Sequence, residues 1–438
     1  MTHATFAAYA GQMRRLALLL TVLLVASLMG SPAQAAKPSS PQRFTGYAFD
    51  TCVAPSDTVM DAWNVASPYA VVGIYTSGNS RYCDDSKQPY LSPAWVKRQA
   101  DRGWRFMPIH VGYQAPCFDS NSSKTRMSTV PATARRQARA DADEAVTRAA
   151  HFGFARGNTV YLDIEWYNRA DRRCDAIVLS FIDAFVQRVH KRKYKVGLYS
   201  SGSAAIQSVD AARQQGKRGF DFPDQMWFAW TNRKANTDGR PYLANTFWRK
   251  DRIHQYHNNV TVQHGGQKVL IDKNVVDVSG GSRAAKEKKV CGMTPTRDRY
   301  RGLKPRSRGK DVRLVQCLLR KAGHKATVTG RWNARTTRAV RSYRASQGWS
   351  RTPAVTRAVW TSLLSRGARP IALKAGKTGE PVHRLQRSLR AAGQSVRVTG
   401  VFDAHTVKAV RSYRSSVGLP TWPTADRRVW AALQSGRR

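Results

Sequence analysis

Acidic side chains are the scarce component of this 438-residue chain: 28 Asp and Glu stand against 73 Lys and Arg, a formal net charge of +45. The shortage is sharpest in residues 301–438, where 31 basic residues face only Asp311, Glu380, Asp403 and Asp426. Such a field excludes a basic partner and favours polyanions: teichoic acids, anionic lipid surfaces or nucleic acid. An arginine-rich composition with no specific partner would give the same charge. Long apolar runs are missing beyond the first 35 residues, so no integral membrane span is expected in the mature chain. The zinc patterns, Cys-x-x-Cys, His-rich spacing and His-Glu-x-x-His, are absent, and neither a metal nor a cofactor is expected. A Ser-His-Gly-Cys run and a plausible Cys–His nucleophile pair are absent too, which argues against transpeptidase and cysteine-nucleophile chemistry.

What is present begins with Arg14 and Arg15, followed by an apolar run from Leu16 to Met29 and by Ala33-Gln34-Ala35, with small residues at −3 and −1 of a cleavage site. That order reads as a secretory signal peptide over residues 1–35; an uncleaved N-terminal anchor is the alternative. The remaining length exceeds one ordinary core and suggests two or three domains. Six cysteines, Cys52, Cys83, Cys117, Cys174, Cys291 and Cys317, are an even number, which in an exported chain reads as disulfides.

Short apolar strands alternate with helical stretches from Phe44 to Val278. Strands are expected at Phe44–Phe49, Val71–Tyr75, Phe106–Val111, Val160–Ile164, Lys195–Tyr199, Met226–Trp230, Ile253–Tyr256 and Val269–Ile271. Ser92-Pro93 caps one helix and Gly103 closes it. Pro131–Ala150 reads as a long helix. Ile177, Phe181, Ala184, Phe185 and Val189 have helical spacing within Asp175–His190. The class is α/β, and the pattern fits a closed (β/α)8 TIM-like barrel over residues 41–280; a doubly wound open sheet is the alternative.

Residues 281–300 read as a charged linker. A gapless repeat with an offset of 70 residues follows: Val328-Thr329-Gly330 recurs as Val398-Thr399-Gly400, Ala339–Arg344 as Ala409–Arg414, and Val359-Trp360 as Val429-Trp430. Self-similarity of this length means two copies of one small domain, residues 301–366 and 370–434. Three helical apolar sets recur in each: Val312, Val315 and Leu319; Thr336, Ala339, Val340 and Tyr343; Val359, Trp360 and Leu363. Each copy is therefore expected to be an all-α three-helix unit.

The repeats resemble the common peptidoglycan-binding domain of bacterial wall hydrolases through Leu303, Gly309, Val312, Gln316 and Gly323, then Gly330-x-Trp332-x3-Thr336-x2-Ala339-Val340-x2-Tyr343, with a second match from Leu373 to Leu433. They depart from it at Arg344 and Arg414, where the family often has glutamine. Tyr343 and Tyr413 read mainly as packing residues. The earlier region resembles a glycoside-hydrolase-like domain of unknown function from secreted actinobacterial proteins, a relative of the family 25 lysozymes. The residues that carry this likeness are Gly46–Cys52, Ser67–Tyr75, Val160–Glu165, Gly197–Ser201, Trp227–Trp230, Ile253–Tyr256 and Asp272-Lys273-Asn274.

Asp163 and Glu165 lie two apart, so a strand would turn both to one side, which at the C-terminal end of a barrel strand opens onto the usual active-site mouth. Glycoside hydrolysis uses two carboxyl groups in different protonation states around one bond. A charged Asp163 would raise the pKa of Glu165 and suit it as general acid, leaving Asp163 to stabilise positive charge or orient an acetamido group. Asp50 and Asp272 are expected to close the ring of acids. Tyr199, Trp230, Gln255 and Tyr256, at predicted strand ends, suit sugar binding or rim packing. If Cys52, Cys83, Cys117 and Cys174 all lie in the loops above the strands, neighbouring loops would pair as Cys52–Cys83 and Cys117–Cys174; two other pairings remain open. Cys291 and Cys317 are left for each other.

The resulting expectation is a secreted, wall-associated, monomeric, muramidase-like hydrolase with peptidoglycan and anionic wall polymers as partners and no specific nucleic acid. Its rival is a non-catalytic wall-binding protein whose barrel holds glycan without cutting it.

Overall fold

Alternation of apolar residues along eight short segments is what closes the first part of the chain on itself. The computed structural model describes residues 36–438 apart from Ser120 and Asn245; the signal-peptide reading of residues 1–35 lies outside them. The elements run β1 (Phe44–Asp50), α1 (Asp57–Ala66), β2 (Tyr69–Ser77), α2 (Pro93–Asp101), β3 (Arg105–His110), α3 (Pro131–His151), β4 (Thr159–Asp163), α4 (Arg172–Lys191), β5 (Lys195–Ser201), α5 (Gln207–Gln214), β6 (Gln225–Ala229), β7 (Arg252–His264) and β8 (Gln267–Val278). The strands form a closed barrel in the order β1-β2-β3-β4-β5-β6-β7-β8.

Seven strands run parallel, and β8 runs antiparallel to both β7 and β1. The closed barrel is as expected, but its last unit is a hairpin rather than a strand–helix crossover. The cause is local: Gly265 and Gly266, both at positive φ, form a two-residue turn that reverses the chain. Parity then sorts the side chains. Ala48, Val71, Met107, Ile109, Tyr161, Trp227, Ile253 and Val276 fill the barrel interior, while Phe49, Val72, Phe106, Leu162, Val196 and Phe228 pack outward under the helices. The helix signals hold: Ser92 caps α2 by accepting from the Trp95 amide at 3.2 Å, with Pro93 opening the helix.

Three disulfides are formed, Cys52–Cys83, Cys117–Cys174 and Cys291–Cys317. The first joins the loops after β1 and β2, the second joins the loop after β3 to the first turn of α4, and the third ties residue 291 to the first copy of the repeat.

That copy contains α6 (Lys310–Lys321), α7 (Ala334–Ser346) and α8 (Arg357–Ser365); the second contains α9 (Glu380–Ala391), α10 (Ala404–Ser416) and α11 (Arg427–Gln434), with a two-stranded ladder of β9 (Ala372–Leu373) and β10 (Ala425–Asp426). Gln316 explains one conserved spacing between the copies: its Oε1 accepts from the amides of Thr329 and Gly330 at 2.9 Å and its Nε2 donates to Thr336 Oγ1 at 2.8 Å. Gln386 makes the same bonds in the second copy. Tyr343 and Tyr413 are fully buried, their hydroxyls bonded to Ser362 Oγ and the Arg437 carbonyl.

The second copy docks on the end of the barrel where the strands begin. Lys374, 2% exposed, donates to the Tyr69 carbonyl at 2.7 Å and lies over the Trp104 ring. Lys377 donates to the Gly103 carbonyl at 3.1 Å, and Ser282 Oγ to that of Gly376 at 2.9 Å. No helix of the described residues is long and apolar enough to cross a membrane.

Gly197 has no side chain because the inward Tyr161 ring, bonded through its hydroxyl to Gln225 at 2.7 Å, occupies the space a Cβ would need. Gly197→Ala is expected to destabilise the barrel by ~1–3 kcal/mol through overpacking, seen as a lower urea midpoint with an unchanged slope.

Candidate active site

Four carboxyl groups meet at the end of the barrel where β1 and β4 finish. Asp50 closes β1 and Asp163 closes β4. Because β8 runs antiparallel, Asp272 comes up directly opposite Asp50 across the β1–β8 ladder. Glu165 lies two residues beyond the end of β4, not on the strand itself. Its placement is set by Gln114, a fully buried amide that accepts from the Glu165 N–H at 2.8 Å and donates to the Asp163 carbonyl at 3.0 Å. One side chain from the loop after β3 therefore clamps the backbone between the two acids.

The hydrogen bonds around these acids are unevenly shared. Asp50 Oδ1 accepts from Asn274 Nδ2 at 2.5 Å, and Gln255 Nε2 lies 3.3 Å and 3.4 Å from its two oxygens. Gln255 is itself oriented by the Tyr199 hydroxyl, which donates to its Oε1 at 3.0 Å. Asp272 accepts from the Asn259 amide at 2.6 Å. Glu165, whose side chain is 39% exposed, forms a 2.9 Å ion pair with Lys124. Asp163 Oδ1 is buried and has no hydrogen-bond partner among the described residues. Leaving such an atom unsatisfied costs ~1–3 kcal/mol.

Burial and like charge push protons onto this cluster. Burial, then repulsion from Asp272, raises Asp50 to about 8, against the hydrogen bonds from Asn274, Gln255 and Tyr75. Burial and the Glu165 carboxylate hold Asp163 well above the ordinary carboxylate range, with Lys124 offsetting part of the effect. Asp272 is raised by burial and by Glu165. Burial, and then the acids, push up the phenols of Tyr75 and Tyr199. Asp163 is the buried member of the Asp163–Glu165 pair, while the Glu165 side chain is partly exposed with a lysine beside it.

A cavity of about 380 Å³ opens beside Asp50 and Asp272, lined also by Tyr75, Asn259, Val53 and Leu270. Gln255 and Tyr199 belong to this site. Trp230 and Tyr256 do not: Trp230 packs against Tyr242 and His254, and Tyr256 lies against His254 and near Tyr47. His254 is the outward residue next to inward Gln255, so both aromatics stand on the outer side of the sheet. Tyr75, Gln114, Lys124 and Asn274 are functional candidates that the sequence reading did not single out. Tyr75 had a signal, since it continues the inward series Val71, Gly73 along β2. Lys124 had none, lying in a loop without periodicity.

Two further groups bring three metal-type donors together, Cys117 with Asp171 and Cys174, and His110 with Asp141 and Glu144. The first holds a disulfide. In the second, Asp141 accepts from the Tyr113 amide and Glu144 from the Gly78 amide, so both carboxylates serve the backbone. Neither group includes an acid of the cluster.

Residues 61–276 match the family model described as the Rv2525c-like, glycoside hydrolase-like domain. The chain carries a glycoside hydrolase-like domain. Residues 378–433 match a peptidoglycan binding domain. No curated protein matches the chain. Three solved structures are similar to a little over half of the chain. An uncharacterized B. stearothermophilus protein has 15% identity and a TM-score of 0.36, covering 53% of this chain and 95% of that one. The catalytic domain of endolysin ply40 from bacteriophage P40 of Listeria monocytogenes has 13% identity and a TM-score of 0.32, covering 54% and 95%. A family 25 glycosyl hydrolase from Bacillus anthracis has 15% identity and a TM-score of 0.33, covering 56% and 94%.

A carboxyl whose folded-state pKa lies above its unfolded value binds its proton more tightly in the folded chain. The stability it contributes is fully present below the ordinary value of 3.8 and is lost as pH rises to about 8 for Asp50. The glycoside hydrolase-like domain is therefore expected to lose stability across that window, and Asp50→Asn to flatten the loss. Urea midpoints measured across the window check this; parallel curves for parent and variant would place the strain elsewhere.

Proposed function

We propose that the chain is an exported glycoside hydrolase of the lysozyme type, acting on peptidoglycan or a related wall glycan and held at the wall by its C-terminal repeats. The observation that carries this reading is the buried, unpartnered Asp163 Oδ1 inside a four-carboxyl cluster at the barrel mouth. The match to a glycoside hydrolase-like domain, the peptidoglycan binding domain at 378–433 and the three disulfides support substrate and compartment.

In this reading Asp163 stays protonated and donates to a substrate acceptor such as an acetamido carbonyl, which satisfies its orphan oxygen. Glu165, the acid nearest solvent, exchanges its lysine for substrate and passes a proton to the leaving glycosidic oxygen. Desolvation on substrate entry favours its neutral form. Asp50 and Asp272 together hold negative charge beside the sugar as positive charge develops on its ring. Water then bonds to the anomeric carbon as the glycosidic bond breaks and gives its proton to the Glu165 carboxylate. Gln255, steered by Tyr199, keeps an amide between those two carboxyls and the substrate hydroxyls.

The Lys124–Glu165 ion pair favours a second reading, in which the barrel binds glycan without cutting it. Incubation of the parent chain and its Glu165→Gln variant with peptidoglycan, followed by assay of new reducing ends, separates the two. Release by the parent, reduced roughly 10²–10⁴-fold in the variant, is the expected result. Undiminished release by Glu165→Gln would remove Glu165 from the chemistry. No release by either, with wall binding intact, would favour the binding protein.

A further inference from the structure

The two copies of the repeat differ along one solvent-facing groove. On the first, a groove of about 810 Å³ lies between one face of α7, carrying Arg335, Arg338 and Ser342, and the turn Gly323–Thr327 that follows α6. Positions 335, 338 and 342 are spaced three and four apart, so they form one row along the helix. Arg320 and Lys325 complete a wall of four exposed cations, and no acid lines the groove. Arg320 reaches Cys291 Sγ at 3.8 Å and Arg335 reaches Thr327 Oγ1 at 3.5 Å, both neutral groups. Ala326 and Ala339 line the groove between the cations, where the His324 ring is held by Ser342 Oγ at 2.9 Å and stands edge-on to Tyr343.

Four unpaired like charges around one concavity repel one another until a counter-charge arrives. A single carboxylate would meet one or two of them. A chain that repeats a negative charge along its length meets all four.

The second copy does not repeat this arrangement. His405 stands where Arg335 would, Ser395 where Lys325 would and Gln394 where His324 would, although Lys408 keeps the charge of Arg338 and Arg397 adds one where the first copy has Thr327. Arg390, the counterpart of Arg320, donates to the Arg297 carbonyl at 3.2 Å, and its neighbour Arg387 pairs with Glu287 and Glu380. In the second copy this helix is covered by the segment that precedes the first.

We propose that the groove of the first copy is a binding site for a phosphodiester-linked polyol polymer of the cell wall, separate from any peptidoglycan site. This rests on the wall-directed reading above, but not on catalysis by the barrel.

The test uses the full chain and fluorescent poly(glycerol phosphate), with binding followed by anisotropy at constant, near-physiological salt. Arg335→Glu with Arg338→Glu is compared with Arg136→Glu and Arg139→Glu on the exposed face of α3, which changes net charge equally. The groove pair is expected to weaken binding about tenfold or more and the α3 pair about twofold or less. Lys325→Glu, in an exposed turn, should act in the same direction with a smaller factor. Equal losses in both pairs would reduce the effect to net charge and overturn the site, as would no loss in either. Binding of a DNA duplex through the groove without binding of the polymer would overturn the ligand assignment. Reducing-end release is scored separately: release with groove-independent polymer binding sinks only this site, and groove-dependent binding without release sinks only the hydrolase.

Discussion

Crowding of like charge at one end of the barrel is the constraint around which the rest of the site is organised. Four carboxyls cannot all ionise where Asp50 and Asp163 are buried, and the surrounding groups divide into those that stabilise the remaining charge and those that hold position. Asn274, Gln255 and the Asn259 amide do the first, while Gln114 does the second from outside the cluster. Closure of the barrel and assembly of the cluster are also the same event. Asp272 faces Asp50 only because β8 returns antiparallel to seal the gap between β7 and β1.

Much of this was legible in the order of residues. The eight apolar segments, the helix cap at Ser92 and the cadence of α4 located the barrel, and the Asp163-x-Glu165 spacing located two of its clustered acids. The reversal of β8 was missed, although Gly265-Gly266 between the last two strands is a hairpin signal. What escaped has physical reasons. Trp230 and Tyr256 are one residue out of phase with the inward series, and register shifts between Gln255 and Val260 break the parity that alternation relies on. Glu165 owes its place to a glutamine about fifty residues earlier, a contact that no local pattern encodes.

The repeats show how a departure from a family pattern finds a use. Arg344 donates to the Ser350 and Ala354 carbonyls, and Arg414, fully buried, bonds the Pro420 and Thr424 carbonyls and pairs with Asp426 at 3.1 Å. In both copies the arginine ties down the loop between the second and third helices. Their positive charge is thus spent inside the domain, and the charge available to partners lies on other arginines. The two copies also differ in surroundings: the second forms part of the barrel's floor, and the outer face of the first is open.

That floor has a geometric consequence. The second copy grips the barrel where the strands start, while the acids stand where they end, and Lys374 is buried between the two bodies rather than perched on a flexible tether. Anything the second copy holds is separated from the acids by the full height of the barrel. A ligand held there and a ligand at the barrel mouth would therefore sit at opposite ends of the barrel, and the height of the barrel sets the least distance between them.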